Sequence, residues 1–200
     1  MRMHTVLAIR TTPLQAMAML MAAQFVAPAL HAGQYEFDTR RTEVRFVYKM
    51  AYSTQRGRFT QVKGALDYDD DAPEKAQIRA EIAASSLTTG EPLVDQELKG
   101  RSFFNVEAAP VIAFQSLDVR SRSATEADVR GEITINGVTQ PVTLSARLVP
   151  HDDPALKYDA GARKFFATAR LQRSAFGMTD YMSMVDDEID VEIDAIMRPR

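Results

Sequence analysis

The chain has 200 residues, of which 24 are Lys or Arg, 27 are Asp or Glu and none is Cys. A net charge of -3 without any basic run argues against a nucleic-acid partner, because phosphate neutralisation needs clustered cations. The lack of Cys excludes thiol catalysis, zinc–thiolate sites, disulfides and a lipoprotein cysteine.

Arg2, His4 and Arg10 open the chain with positive charge, and an apolar stretch follows from Leu14 to Leu30, interrupted by Gln15, Gln24 and Pro28. Small Ala32 comes next, with Leu30 two positions before it. Charge, apolar core and small residue in that order are the pattern of a secretory signal peptide. Residues 1–32 are therefore expected to be cleaved off, leaving 33–200 as one domain in the periplasm. An uncleaved anchor is the alternative. No later stretch approaches the ~20 apolar residues of a spanning helix.

From there, strict alternation of apolar and polar residues dominates. Val44, Phe46, Tyr48 and Met50 share one face, and Glu43, Arg45 and Lys49 the other. Ile78, Ala80, Ile82 and Ala84 form a second apolar face. From Pro92 to Gly100 the spacing of Leu93, Val94, Glu97 and Leu98 changes to that of a helix, which Gly100 can end. Alternation resumes at Val129–Ile135, Val142–Leu148, Phe165–Leu171 and Ile189–Met197. Asn136-Gly137, between two of these runs, predicts a two-residue hairpin turn, since both residues accept φ > 0. Slips in the alternation at Ser116-Leu117 and between Phe59 and Val62 predict bulges. Asp69–Pro73 and His151–Pro154 read as loops.

The fold class is all-β. About eight strands in one domain can close into a single antiparallel barrel, which removes exposed edges. The helical crossover near residues 92–100 then lies across one end. A two-sheet sandwich is the alternative. An outer-membrane barrel would turn its apolar face outward, and the acidic ladder from Glu188 to Asp194 would then crowd a small lumen.

Catalytic signatures are not found. Beyond residue 32 the one histidine, His151, stands in an Asp-rich loop, so no Ser-His-Asp triad or His-rich metal site can be built around it. The acidic runs Asp69–Asp71 and Asp186–Glu188 lack the spaced oxygens of a calcium loop. No metal, cofactor or catalytic residue is assigned.

Four segments carry a resemblance that spans nearly the whole chain after residue 32. They are Gly57-Arg58-Phe59 with Gly64–Tyr68; Leu98–Phe114, containing Phe103-Phe104-Asn105-Val106 and Pro110–Phe114; Gly131–Leu144; and Arg173-Ser174-Ala175-Phe176-Gly177-Met178. In this order and spacing the chain resembles the YceI-like periplasmic lipid-binding proteins. The resemblance implies a lipocalin-like barrel that holds a polyisoprenoid chain, such as a polyprenyl phosphate or a quinone tail, and it implies no established catalytic activity. The chain departs from the family pattern at Val94-Asp95-Gln96-Glu97-Leu98, at Asn136 and at Gln172-Arg173-Ser174, where a lipid head would be met.

On this reading Phe46, Tyr48, Phe114, Ile133, Leu144, Phe165 and Val191 face a common interior, with Leu98, Phe103, Phe104, Phe176 and Met178 near one end. Asn136, Arg173 and Ser174 are the candidates for a headgroup contact. Small inward residues, among them Ala80, Gly131, Ala146, Ala167 and Ala169, leave room for a tunnel or match a tapered, filled barrel. Two other functions stay open: an enzyme using Asp95 or Glu97 at the mouth, and a filled structural or stress-related envelope protein. The partner expected is an isoprenoid lipid. Contact with the membrane is peripheral at most, and a monomer is expected over a dimer.

Overall fold

The computed structural model describes residues 33–159 and 161–200; the expected signal segment, 1–32, lies outside them. The strands are β1 (Gly33–Phe37), β2 (Glu43–Met50), β3 (Ser53–Phe59), β4 (Val62–Tyr68), β5 (Gln77–Ala83) and β6 (Leu87–Thr88). After helix α1 (Pro92–Lys99) come β7 (Val111–Ser121), β8 (Glu126–Ile135), β9 (Val138–Val149), β10 (Arg163–Gln172) and β11 (Glu188–Pro199).

Pairing is antiparallel in the order β1-β4-β5-β7-β8-β9-β10-β11, and β11 pairs back onto β1. The ring closes with eight strands, as the alternation predicts. β2, β3 and β6 prolong β1, β4 and β5 rather than adding members. β2 takes over the pairing with β11, β3 pairs with β2, and β6 pairs with β3. α1 and the turns after it bridge β6 to β7 across that end.

Of the two bulges expected, one is present; the slip between Phe59 and Val62 is instead the break between β3 and β4. Between Ser116 and Asp118 the register of β7 against β8 shifts, and Leu117 is pushed out to 66% exposure. Asn136 and Gly137 have φ of 52° and 76°, the two left-handed residues that such a tight turn needs, and Ile135 pairs Val138 across them. Gly57 lies opposite Phe46, whose ring occupies the space that a Cβ at position 57 would take. The missing side chain is what lets that ring lie flat on the wall.

Outward faces carry the charge. Arg170 bonds Asp190 at 2.9 Å, Arg45 bonds Glu192 at 3.3 Å, and Lys164 pairs Asp194 at 3.6 Å. Each such pair contributes little stability. Together they show that the acidic ladder of β11 faces water while Ile189, Val191, Ile193, Ala195 and Met197 face inward; Ile196, on the outer face, is covered by Leu156 and Ala162.

The break between β1 and β2 is healed by a side chain. Thr42, 3% exposed, donates its hydroxyl to the Ile196 carbonyl and accepts from the Ile196 N–H, both at 3.2 Å. It thus replaces a missing strand residue beside β11. A charge cluster packs over this break. Arg41 Nε donates to Asp38 at 2.8 Å, Arg41 also pairs Asp159, and Arg198 reaches both acids, at 3.3 and 3.0 Å. Burial alone would raise the Asp38 carboxyl, but the Arg41 hydrogen bond, the Arg40 N–H and the neighbouring guanidinium charges outweigh it and hold the group below its ordinary range.

A carboxyl depressed in the folded state stabilises above its unfolded value of about 3.9, and that stability is lost as pH falls through the lower folded value. Asp38→Asn is therefore expected to lower the melting temperature at neutral pH. It is also expected to flatten the acid limb below about pH 4. A melting series from neutral to acid pH checks this; parallel curves for the two proteins would refute it.

Candidate functional site

Inward side chains on a sealed wall are either packed against one another or facing empty space. Here both situations occur, at different levels of the barrel. Around β8–β11, Ile133, Leu144, Phe165, Leu171, Val191 and Ile193 are only half-buried, although their strands are paired on both sides. Their remaining accessible surface faces a chamber of about 180 Å³. Its polar residues are confined to Tyr68 and to Ser121, Ser123, Thr125 and Glu126 at the β7–β8 turn, where exposed residues mark its mouth. The Tyr68 phenol is pushed up, first by burial and then by nearby Asp70.

A second, larger chamber of about 470 Å³ lies at the α1 end. Phe46, Tyr48 and Ile189 form its wall, Leu93, Val94, Glu97 and Leu98 of α1 one side, and Met178, Tyr181, Met184 and Val185 the other. Its rim is apolar yet wet: Leu93 is 82% exposed, Met184 56% and Tyr181 51%. The Tyr181 ring stacks on Phe103 at 5.9 Å, and its hydroxyl donates to Glu97 at 3.3 Å. The Glu97 charge and that hydrogen bond push the Tyr181 phenol up. Burial does the same to Tyr48.

The two chambers meet at a filled layer. Along β2, Val44 lines the first and Phe46, one inward step further, the second; along β11, Val191 lines the first and Ile189 the second. At this level Phe46, Phe59 and Phe104 pack ring on ring, with centroids 5.2 to 6.0 Å apart.

The residues expected to line an interior divide between the chambers. Phe114, Ile133, Leu144, Phe165 and Val191 line the smaller; Phe46, Tyr48, Leu98, Phe103, Phe104 and Met178 line the larger. Phe176 lines neither and is 2% exposed in the filled core. Gly131, expected to leave room in a tunnel, instead lies under the Phe114 ring and against the Gln115 carbonyl, so no added side chain fits there.

The three headgroup candidates are engaged by the protein itself. The Asn136 amide donates to the Phe176 carbonyl at 3.2 Å, and Ser174 is bonded through N–H and hydroxyl to Asp187 at 2.8 and 2.7 Å. Neither lines a chamber. Arg173 does border the larger one, yet it is 3% exposed and gives four N–H groups to the carbonyls of Asp186, Met178, Asp180 and Val185. With five donors on a guanidinium, one is left for anything else. Its charge is met by carbonyl dipoles, and it pins the 178–186 segment that walls the chamber.

Asp95 is also occupied. It accepts from the Thr89 N–H and hydroxyl at 2.6 and 2.7 Å; burial raises its carboxyl, but these bonds outweigh that and hold it low. Met50, Tyr181, Met184 and Val185 were not foreseen as lining. For the last three the signal was present in the sequence as a run of Met and Tyr without strand alternation, Met178 to Val185, and Met50 stood on the apolar face of its own strand.

An antiparallel barrel, closed by eight strands and left hollow on apolar walls, is the architecture of a protein that encloses a guest. Residues 35–197 match the YceI-like domain, and the chain belongs to that family. It is 31% identical over 174 residues to a UPF0312 protein of Pseudomonas aeruginosa, covering 85% of this chain and 89% of that one. A UPF0312 protein of Yersinia pestis is 30% identical over 174 residues, with 85% and 88% covered. Among solved structures, Burkholderia cenocepacia BcnA superposes with a TM-score of 0.71 at 20% identity, covering 80% of this chain and 98% of that one. A domain from Saccharophagus degradans, described as polyisoprenoid-binding, superposes at 0.63 with 12% identity, covering 85% and 100%.

Arg173→Lys keeps the charge but cannot reach four carbonyls in three directions. It is expected to destabilise the protein by about 2–4 kcal/mol, the scale of buried charge-assisted hydrogen bonds lost. Cleavage by protease within 178–186 is expected to accelerate at the same time. Urea unfolding and limited proteolysis read both, and unchanged stability would remove Arg173 from its role as the anchor of this wall.

Proposed function

We propose that the protein is an exported binding protein that holds the apolar chain of an isoprenoid lipid, such as a polyprenyl phosphate or a quinone tail, inside its barrel. The observation that carries this reading is the larger chamber, about 470 Å³, walled almost wholly by apolar side chains and open at the α1 rim. An apolar cavity of about 150 Å³ already takes up benzene in preference to water. Each methylene brought in contributes ~0.8 kcal/mol, so the chain supplies the affinity without any polar contact. The polyisoprenoid-binding description of the Saccharophagus neighbour supports the same class of guest. The charged first residues and apolar stretch before Ala32 support export to the periplasm, where such a carrier would shield a lipid chain from water.

Native mass spectrometry of protein purified from an envelope fraction is expected to show one prenyl lipid per barrel. Ile189→Phe adds volume inside the larger chamber. Overpacking costs about 1–3 kcal/mol where a core is full and less where space waits. The variant is therefore expected to lose lipid while melting close to the parent. Undiminished lipid in a well-folded variant, or a parent that never carries lipid, would count against the reading.

Export has its own check. N-terminal sequencing of the envelope protein is expected to start at Gly33, and an intact Met1 would overturn it.

A further inference from the structure

We propose that Phe104 is a chain-length stop: it closes the inner end of the larger chamber, so that a guest chain entering from the α1 rim halts there and does not reach the smaller chamber beyond. This rests on the reading of the barrel as a prenyl-chain binder and adds to it a length preference and the residue that sets it.

The partition is narrow and specific. Phe46 pairs Val191 across the β2–β11 ladder, yet Phe46 lines the larger chamber and Val191 the smaller, so the boundary runs through this level. Phe59, opposite Val44, lines neither chamber and is 4% exposed. Phe104 sets its ring edge-on against Phe59 at 5.2 Å and tilted by 55° against Phe46 at 6.0 Å. Of the three rings, those of Phe46 and Phe59 come from strands. Phe104 comes from the turns after α1, held by its N–H on the Leu98 carbonyl at 3.0 Å. Its side chain can therefore be trimmed without touching a strand ladder.

The volumes give the length. If about 150 Å³ of apolar space holds the six carbons of benzene, then 470 Å³ holds roughly four five-carbon units, and 180 Å³ holds roughly one more. Carbons beyond the stop stay in water at the rim and add no affinity. A chain able to pass the partition would gain that fifth unit.

The test measures the affinity of prenyl alcohols, lengthened one isoprene unit at a time from geraniol, by displacement of an environment-sensitive dye. The proteins are the parent, Phe104→Ala, Phe104→Leu, Ala167→Phe and the double variant Phe104→Ala with Ala167→Phe. Ala167 lines the smaller chamber, opposite Ala146 and Ile193, so its enlargement fills the space beyond the stop. In the parent, affinity is expected to rise at least about tenfold for each buried unit and then level off at roughly four units. Phe104→Ala is expected to move that plateau at least one unit longer, and Phe104→Leu, a milder change to the same wall, part of the way. Ala167→Phe alone is expected to leave the parent's profile as it is, and in the double variant to restore the short plateau. Identical length profiles in the parent and in either folded Phe104 variant would overturn the stop. So would a parent plateau abolished by Ala167→Phe alone, because the chain would then already reach the smaller chamber. No binding of any prenyl alcohol by the parent would be a different result, sinking the lipid-binding reading and the stop with it.

Discussion

A hollow barrel stands or falls on the closure of its hydrogen-bond ring. An ordinary domain can leave a strand edge to solvent because its core holds the sheet flat. Here the interior is partly empty, so the wall must be held by its own ladder, and every backbone donor and acceptor around the circumference needs a partner. β11 carries that closure. Its first half pairs β2, its last residues pair β1, and its other edge pairs β10 along the whole strand. The weak point is the break at 38–42 between β1 and β2. Thr42 fills it with a hydroxyl that both donates and accepts, and the Asp38–Arg41–Asp159–Arg198 cluster seals it from outside.

Within that ring, side-chain size decides what is solid and what is open. Where Phe46, Phe59, Phe104 and Phe176 converge with Leu87, side chains fill the interior. Around Ala146, Ala167 and Ala169 the facing side chains are too short to meet, and a chamber remains. Glycine does not simply open space. Gly57 and Gly131 are both roofed by an aromatic ring, so their missing side chains admit Phe46 and Phe114 rather than a guest. At the α1 end the larger chamber is bounded by an irregular segment, 178–186, that no ladder beyond the isolated Met50–Val185 bridge holds. Arg173 takes that role with four bonds to its carbonyls, an arrangement that keeps a buried cation solvated by the backbone.

The wall was legible in the sequence because a strand with one wet face announces itself locally. The inward residues of β2, β8, β9, β10 and β11, the helix at 92–99, the Asn136-Gly137 turn and the bulge at Ser116-Leu117 each depend on neighbours a few positions away. The site was legible only in part. Eleven of the twelve apolar residues expected to line an interior do so, but in two chambers rather than one. The polar candidates, Asn136, Arg173 and Ser174, were chosen by position in loops, and loop polarity does not say whether a side chain faces a guest or its own backbone. Only the packed molecule shows that all three bond the protein.

What the sequence by itself determined, then, is the inside and the outside of each strand, because alternation and burial are coupled through a pleat of period two. What the tertiary structure decided is where the inside is empty. That depends on which side chains from distant strands arrive at the same level: Phe104, from a turn after α1, against Phe46 and Phe59; Ala167 against Ala146 and Ile193. No local pattern encodes such meetings, because the volume left at each level is the difference between a fixed barrel radius and side chains contributed by strands far apart in the chain.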